Sequence, residues 1–267
     1  MAVDGDFIPS APSTLVHTGQ FAKNISVIAG WTRNDGSLFT NPTLSNDSDV
    51  IAFLHSQFPS LGNISISTLM FLYPIADFED EVRPNDTVSA QYYRGARMWR
   101  DVYFTCGGVD IAYQVSKYNS PWTHTYLYEL NQSALEPLFD AAGATSAGVS
   151  HFADIPYVFN EVSMFNGSAS DLQLAAEMSG SWAAFAHTGT PVPNAANATL
   201  LKEWPVAYPQ AKGQAKQPVS ATVNVIGGPS PGPANLTLNS SQGGALGMEK
   251  LLERCGFINS IYGELET

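Results

Sequence analysis

The sequence predicts a mixed α/β fold, and three observations carry that reading. Short runs rich in β-branched and aromatic residues, at 27–30, 124–130 and 221–226, read as strands. Between them lie segments whose apolar residues recur at helical spacing, at 47–58, 86–103 and 168–187. A length of 267 residues with 44% hydrophobic content suffices for one large domain or two small ones around a substantial core.

Taken in order, residues 10–30 read as a loop, a short helix through Leu15 and Val16, and a strand ending in Ile28. That strand-like run breaks into the polar turn Arg33-Asn34-Asp35-Gly36. Val50, Ile51, Phe53, Leu54 and Phe58 follow an Asn46/Asp47 cap at helical spacing. Val88, Tyr92, Ala96, Trp99 and Tyr103, spaced four, four, three and four, predict a second packing helix. His124 opens the strand 124–130 and reads as structural. After a polar excursion comes Gly148-Val149-Ser150-His151-Phe152-Ala153-Asp154-Ile155-Pro156-Tyr157-Val158-Phe159, a loop holding an imidazole beside an apolar run. In 168–187, Ser168 and Asp171 make a capping pair, Leu174, Met178, Trp182 and Phe185 form the buried stripe, and Gly189 stops the helix. Residues 191–218 hold five prolines and read as loop; 227–244, rich in Gly, Pro, Ser and Asn, reads as an exposed connector. A closing helix at 246–261 carries Cys255, and no internal repeat is found.

Charge narrows the partners. Charged residues make up 13% of the chain, about half the usual ~25%, and the net charge is -12. Such a surface repels phosphate backbones, which excludes nucleic acid as a partner. No run approaches the ~18 to 20 apolar residues of a membrane helix. Neither cysteine has a second Cys or His at ligand spacing, so no metal or other cofactor is implied.

A lone His among aromatics is ordinarily structural, and the company of His151 decides otherwise. The acid turn at Asp35-Gly36, the Gly148–Phe159 segment and the stretch through Trp182 and Trp204-Pro205 resemble, in this order, the C-terminal half of a type B carboxylesterase/lipase. That α/β-hydrolase family includes fungal lipases and cholinesterases. The resemblance runs from about Val3 to Tyr262 and implies that residues 1–267 are the later strands and helices of an α/β-hydrolase domain, a partial central sheet flanked by helices. It assigns the triad acid to Asp35, where the family more often has Glu, and the triad base to His151. A Ser hydroxyl becomes nucleophilic only when an imidazole takes its proton, with a carboxylate fixing the imidazole's tautomer. The order acid then His matches the family's Ser, acid, His.

The Ser itself is expected to be missing: no Gly-x-Ser-x-Gly elbow and no His-Gly-Gly-Gly oxyanion stretch is found, and Ser146 is rejected because Ala144 stands where the elbow needs Gly. The activity implied is therefore carboxylic ester hydrolysis with the nucleophile half absent, inactive in the isolated chain and dependent on a partner polypeptide. The alternatives are a catalytically dead binding or scaffolding protein and a truncated fragment with no role of its own. An incomplete sheet would expose an edge and an apolar face, so self-association is also expected.

Two cysteines and several sequons in one chain favour a disulfide over two buried thiols. The resemblance agrees, because the cholinesterase branch joins a Cys ahead of its triad His to one in the C-terminal helix, here Cys106 and Cys255. Acceptor sites for N-glycosylation occur at Asn24, Asn46, Asn63, Asn85, Asn131, Asn166, Asn197, Asn235 and Asn239, which point to a secreted glycoprotein. Residues 1–9 show neither the basic nor the apolar region of a signal peptide and resemble a mid-chain segment of the family.

Overall fold

The strands form where the β-branched and aromatic runs fall. The computed structural model describes residues 3–84, 86–193, 199–209, 211, 220–237, 246 and 249–265. Among the described residues four strands make one sheet in the order β1 (Val27–Thr32), β2 (Thr125–Leu130), β3 (Ser220–Ile226), β4 (Gly232–Thr237). The first three are parallel and β4 returns antiparallel to β3. All six residues of β2 are buried, as a strand covered on both faces requires. Its alternating side chains enter two separate cores. Tyr126, Tyr128 and Leu130 join the cluster that includes Leu174, Met178 and Ile226, while Leu127 joins the larger cluster with Cys106, Val109 and Cys255.

The predicted helices are present as α2 (Asp47–Gln57), α4 (Ala90–Arg100) and α8 (Ala169–Thr188), and the short α1 is Pro12–His17. Asn46 caps α2 by accepting from the Asp49 amide. Ser168 and Asp171 form a reciprocal capping box on α8, which ends on Gly189 in the left-handed conformation. In the α8 stripe Leu174 and Met178 are fully buried, whereas Trp182 and Phe185 are half-buried. Cys106 and Cys255 form a disulfide across a separation of 149 residues. In a chain-entropy model that closure restricts the unfolded chain by about 4 to 5 kcal/mol.

The structure departs from the sequence reading in five places. Strand β1 runs on to Thr32, past Ile28, because Trp31 and Thr32 find partners in Glu129 and Leu130. The segment read as an exposed connector holds β4, whose Gly-Pro-Ala-Asn-Leu-Thr is recruited by pairing with Ser220–Val225. Helix α3 (Asn63–Leu72) was not anticipated, and α4 does not stop near Tyr103 but passes through a π-helical turn, Asp101–Thr105, into α5 (Cys106–Tyr118). The closing helix begins at Leu251, after Lys250 in the left-handed region, and ends at Ser260. Between α5 and α8 lie the short helices α6 (Glu136–Ala141) and α7 (Ile155–Val158).

Candidate active site

The acid turn follows β1 directly. The Asp35 amide donates to the Thr32 carbonyl at 3.2 Å, and Asp35 Oδ2 accepts from the Thr32 amide at 2.8 Å, closing a tight turn. Gly36 seats that turn against α4: a Cβ there would lie 1.9 Å from the Ala96 carbonyl oxygen. The next residues fasten the His loop. Ser37 Oγ donates to the Ala147 carbonyl at 2.8 Å. The Asn34 amide donates to the Val149 carbonyl at 2.9 Å, and the Val149 amide donates back to Asn34 Oδ1 at 3.1 Å. Gly148, at φ +55°, passes so close to the Asn34 side chain that a Cβ would sit 2.6 Å from its oxygen. Asn34 and Ser37 thus register the two loops, a role that no sequence motif announces.

That register brings His151 Nδ1 to 2.7 Å from Asp35 Oδ1. The Asp35 side chain is 6% exposed and that of His151 23%. Burial pushes the Asp35 carboxyl above its ordinary range, opposed by the Thr32 amide and by His151. A carboxylate only accepts, so Nδ1 carries the proton. Nε2 then presents a lone pair, and no hydrogen bond to it is found among the described residues. The imidazole lies among aromatic rings: Phe104 stacks at 4.7 Å, Phe39 meets it edge-on at 5.3 Å, and Phe152 lies 4.0 Å away. Phe104 comes from the π turn, where one extra residue per turn re-aims the side chains of a continuous helix. Beside Phe39 opens a cleft of about 630 Å³, lined by Leu38, Leu44, Phe53, Thr43 and Gln57 among others.

A largely buried ionic cluster supports the acid turn through Arg33. Arg100 pairs with Asp101 at 2.6 Å and with Glu249 at 2.8 Å, and Arg97 meets Glu249 at 2.8 Å and Glu81 at 2.8 Å. Arg100 also donates to the Arg33 carbonyl at 3.2 Å, while Trp31 Nε1 donates to Glu129 at 2.9 Å. Burial works to raise the Glu249 carboxyl, but Arg100, Arg97 and Arg33 overcome it and hold it well below its ordinary range.

Of the sequence-predicted site residues, Asp35 and His151 meet, and Cys106 and Cys255 are joined. Asn24, Asn46, Asn63, Asn166 and Asn235 are exposed; Asn131 is half-buried, its amide beside Gly228. Asn85, Asn197 and Asn239 lie outside the described residues. Ser146 sits on a 3-10 turn, Thr145–Ala147, not an elbow.

One sequence expectation fails as a matter of letters. Gly228-Pro229-Ser230-Pro231-Gly232 does spell Gly-x-Ser-x-Gly. The structure puts it in the connection between the antiparallel strands β3 and β4, with Ser230 exposed, so it lacks the strand-turn-helix of an elbow. The residue after an elbow Ser must also donate its amide to the oxyanion, and Pro231 has none to give. Among the described residues no group of three His, Cys, Asp or Glu is placed to hold a metal ion, and no helix is long and apolar enough to cross a membrane.

Comparisons with known proteins meet this geometry from the other side. A model of the carboxylesterase family matches residues 1–224. An inactive carboxylesterase-like protein of Byssochlamys spectabilis is 32% identical over 97% of this chain and 44% of its own length. A secreted lipase of Arthroderma benhamiae is 30% identical over 97% of this chain and 43% of its own length. The chain therefore spans less than half the length of these curated relatives. Among solved structures, Aspergillus niger EstA superposes with a TM-score of 0.71 at 19% identity, covering 99% of this chain and 45% of that one. A PNB esterase superposes at 0.59, again with 19% identity, over 94% of this chain and 42% of that one.

Proposed function

The chain belongs to the carboxylesterase family and carries part of an α/β-hydrolase fold, and on that premise we propose that it supplies the acid and base of a Ser-His-acid triad for carboxylic ester hydrolysis. The observation behind this is the 2.7 Å contact from His151 Nδ1 to Asp35 with Nε2 left open. In this role Nε2 takes the proton of an incoming Ser hydroxyl, Asp35 stabilises the imidazolium, and the same proton passes to the leaving alcohol. The attacking Ser comes from a polypeptide outside these 267 residues. Two surfaces suit such a partner: the outer edge of β1, the last strand on its side of the sheet among the described residues, and exposed apolar residues such as Phe159 and Met164. The same surfaces suit self-association when the chain is alone. The sequons, the disulfide and the secreted lipase among its relatives support an extracellular, glycosylated protein.

Turnover by the chain alone is expected to be negligible, because the nucleophile is elsewhere and each missing oxyanion donor removes a further ~2.7 to 4 kcal/mol of transition-state stabilisation. The test is p-nitrophenyl ester hydrolysis and fluorophosphonate labelling, without and with a family segment carrying Gly-x-Ser-x-Gly. Activity should appear only with that segment and vanish in His151→Ala. Labelling of Ser230, or turnover by the chain alone that His151→Ala and Ser230→Ala both abolish, would sink the proposal. A second reading is favoured by the relative named inactive: an esterase-like fold kept for binding or scaffolding. Under it the added segment binds but restores no hydrolysis.

A further inference from the structure

Phe152 is held at φ +71°, in the left-handed region. Asn24, Asn160, Asn166 and Lys250 are also there, but Asn tolerates that backbone and Lys250 precedes the closing helix, whereas a bulky aromatic is an outlier kept only where its surroundings over-determine it. Burial is not the reason, because Phe152 is 58% exposed and little apolar area is removed from water. What the strained backbone achieves is placement: the ring lies 4.0 Å from the His151 imidazole, tilted by 46°. Phe104 approaches at 4.7 Å and 24°. Phe104 and Phe152 make no ring contact with each other among the described residues, so they meet different sides of the imidazole. Phe39 meets the imidazole edge-on at 5.3 Å on the Phe104 side, its ring 6.2 Å from that of Phe104.

We infer that Phe152 is a positioning residue for His151, holding the imidazole against Asp35 and confining access to Nε2 to the side the phenyl rings leave open. Such a brace is needed because χ2 of His is a broad torsion. One hydrogen bond at Nδ1 leaves the ring free to swing about the Nδ1 to Oδ1 line. The π turn and the left-handed Phe152 are two separate breaks in regular backbone, and each delivers a phenyl ring to the same imidazole.

Phe152 bears on turnover only if His151 is the base proposed above, whereas the imidazole can be probed in the intact chain with no ester present. The probes are carbethoxylation by diethyl pyrocarbonate, read peptide by peptide, and the proton shifts of the His151 ring. Phe152→Gly suits a φ of +71°, so its melting temperature should equal or exceed the parent's. In it His151 should be modified several-fold faster, and its ring protons should lose the upfield displacement imposed by neighbouring phenyl faces. Phe152→Tyr, which restores the ring, should match the parent in both. Unchanged rate and shifts in Phe152→Gly would overturn the assignment. So would a Phe152→Gly protein that melts well below the parent, since Phe152 would then serve packing.

Discussion

Arg33 and Asp35 stand two residues apart on one turn, yet they belong to opposite kinds of charged site. Arg33 faces a cluster in which Arg97, Arg100, Glu81, Asp101, Glu129 and Glu249 satisfy one another. Asp35 faces a pair with one position left open, at His151 Nε2. A saturated cluster can hold a turn in place but has nothing to offer a substrate. An imidazole fixed at one nitrogen and vacant at the other can take a proton. The difference lies in the unfilled position and not in burial, since Asp35 is as buried as Glu249.

The largest effect should come from breaking the saturated side. Glu249→Gln leaves the buried Arg97 and Arg100 short of a counter-charge, and should lower stability by about 3 to 5 kcal/mol, measured by urea unfolding. Second is the seat shared by both sites: Gly36→Ala forces a methyl onto the Ala96 carbonyl and should cost about 1 to 3 kcal/mol, with a loss of His151 order visible in its ring resonances. Third, Glu249 and Asp35 should respond to pH with opposite sign. The Glu249 carboxyl is held below its ordinary 4.5, so its stabilisation is present above that pH and lost as pH falls. The Asp35 carboxyl is raised above its ordinary 3.8, so its contribution is full below that pH and is lost as pH rises through the folded value. Comparing unfolding free energies of Glu249→Gln, Asp35→Asn and the parent from pH 3 to pH 7 separates the two; curves of like sign would contradict the contrast. The smallest stability change, under about 1.5 kcal/mol, belongs to Asp35→Asn. Its signature is elsewhere: the introduced amide donates to Nδ1, so the proton moves to Nε2 and the ring loses its basic position. Nitrogen-15 shifts of His151 would show the tautomer change.

Helix α8 was legible in the sequence because its signals are local: Ser168 and Asp171 at one end, Gly189 at the other. Strands β2 and β3 were legible for the same reason. Strand β4 was not, since Gly232, Pro233 and Asn235 read as a connector and only the neighbouring Val223 and Asn224 make them a strand. The π turn leaves no mark on the spacing of Trp99 and Tyr103. Asp35 and His151 are 116 positions apart, and only their likeness to a family coupled them. Asn34 and Ser37, which enforce that meeting, look like ordinary turn residues. Ser230 shows the converse, a motif complete in letters but set between antiparallel strands.

The link between Cys106 and Cys255 closes more than half of the chain into a covalent ring. A protease that cuts the backbone anywhere inside that ring yields two fragments still tethered through sulfur. The nicked molecule would run at full mass until a reductant is added, and Asp35, on one fragment, would stay tethered to His151 even when the cut falls between them.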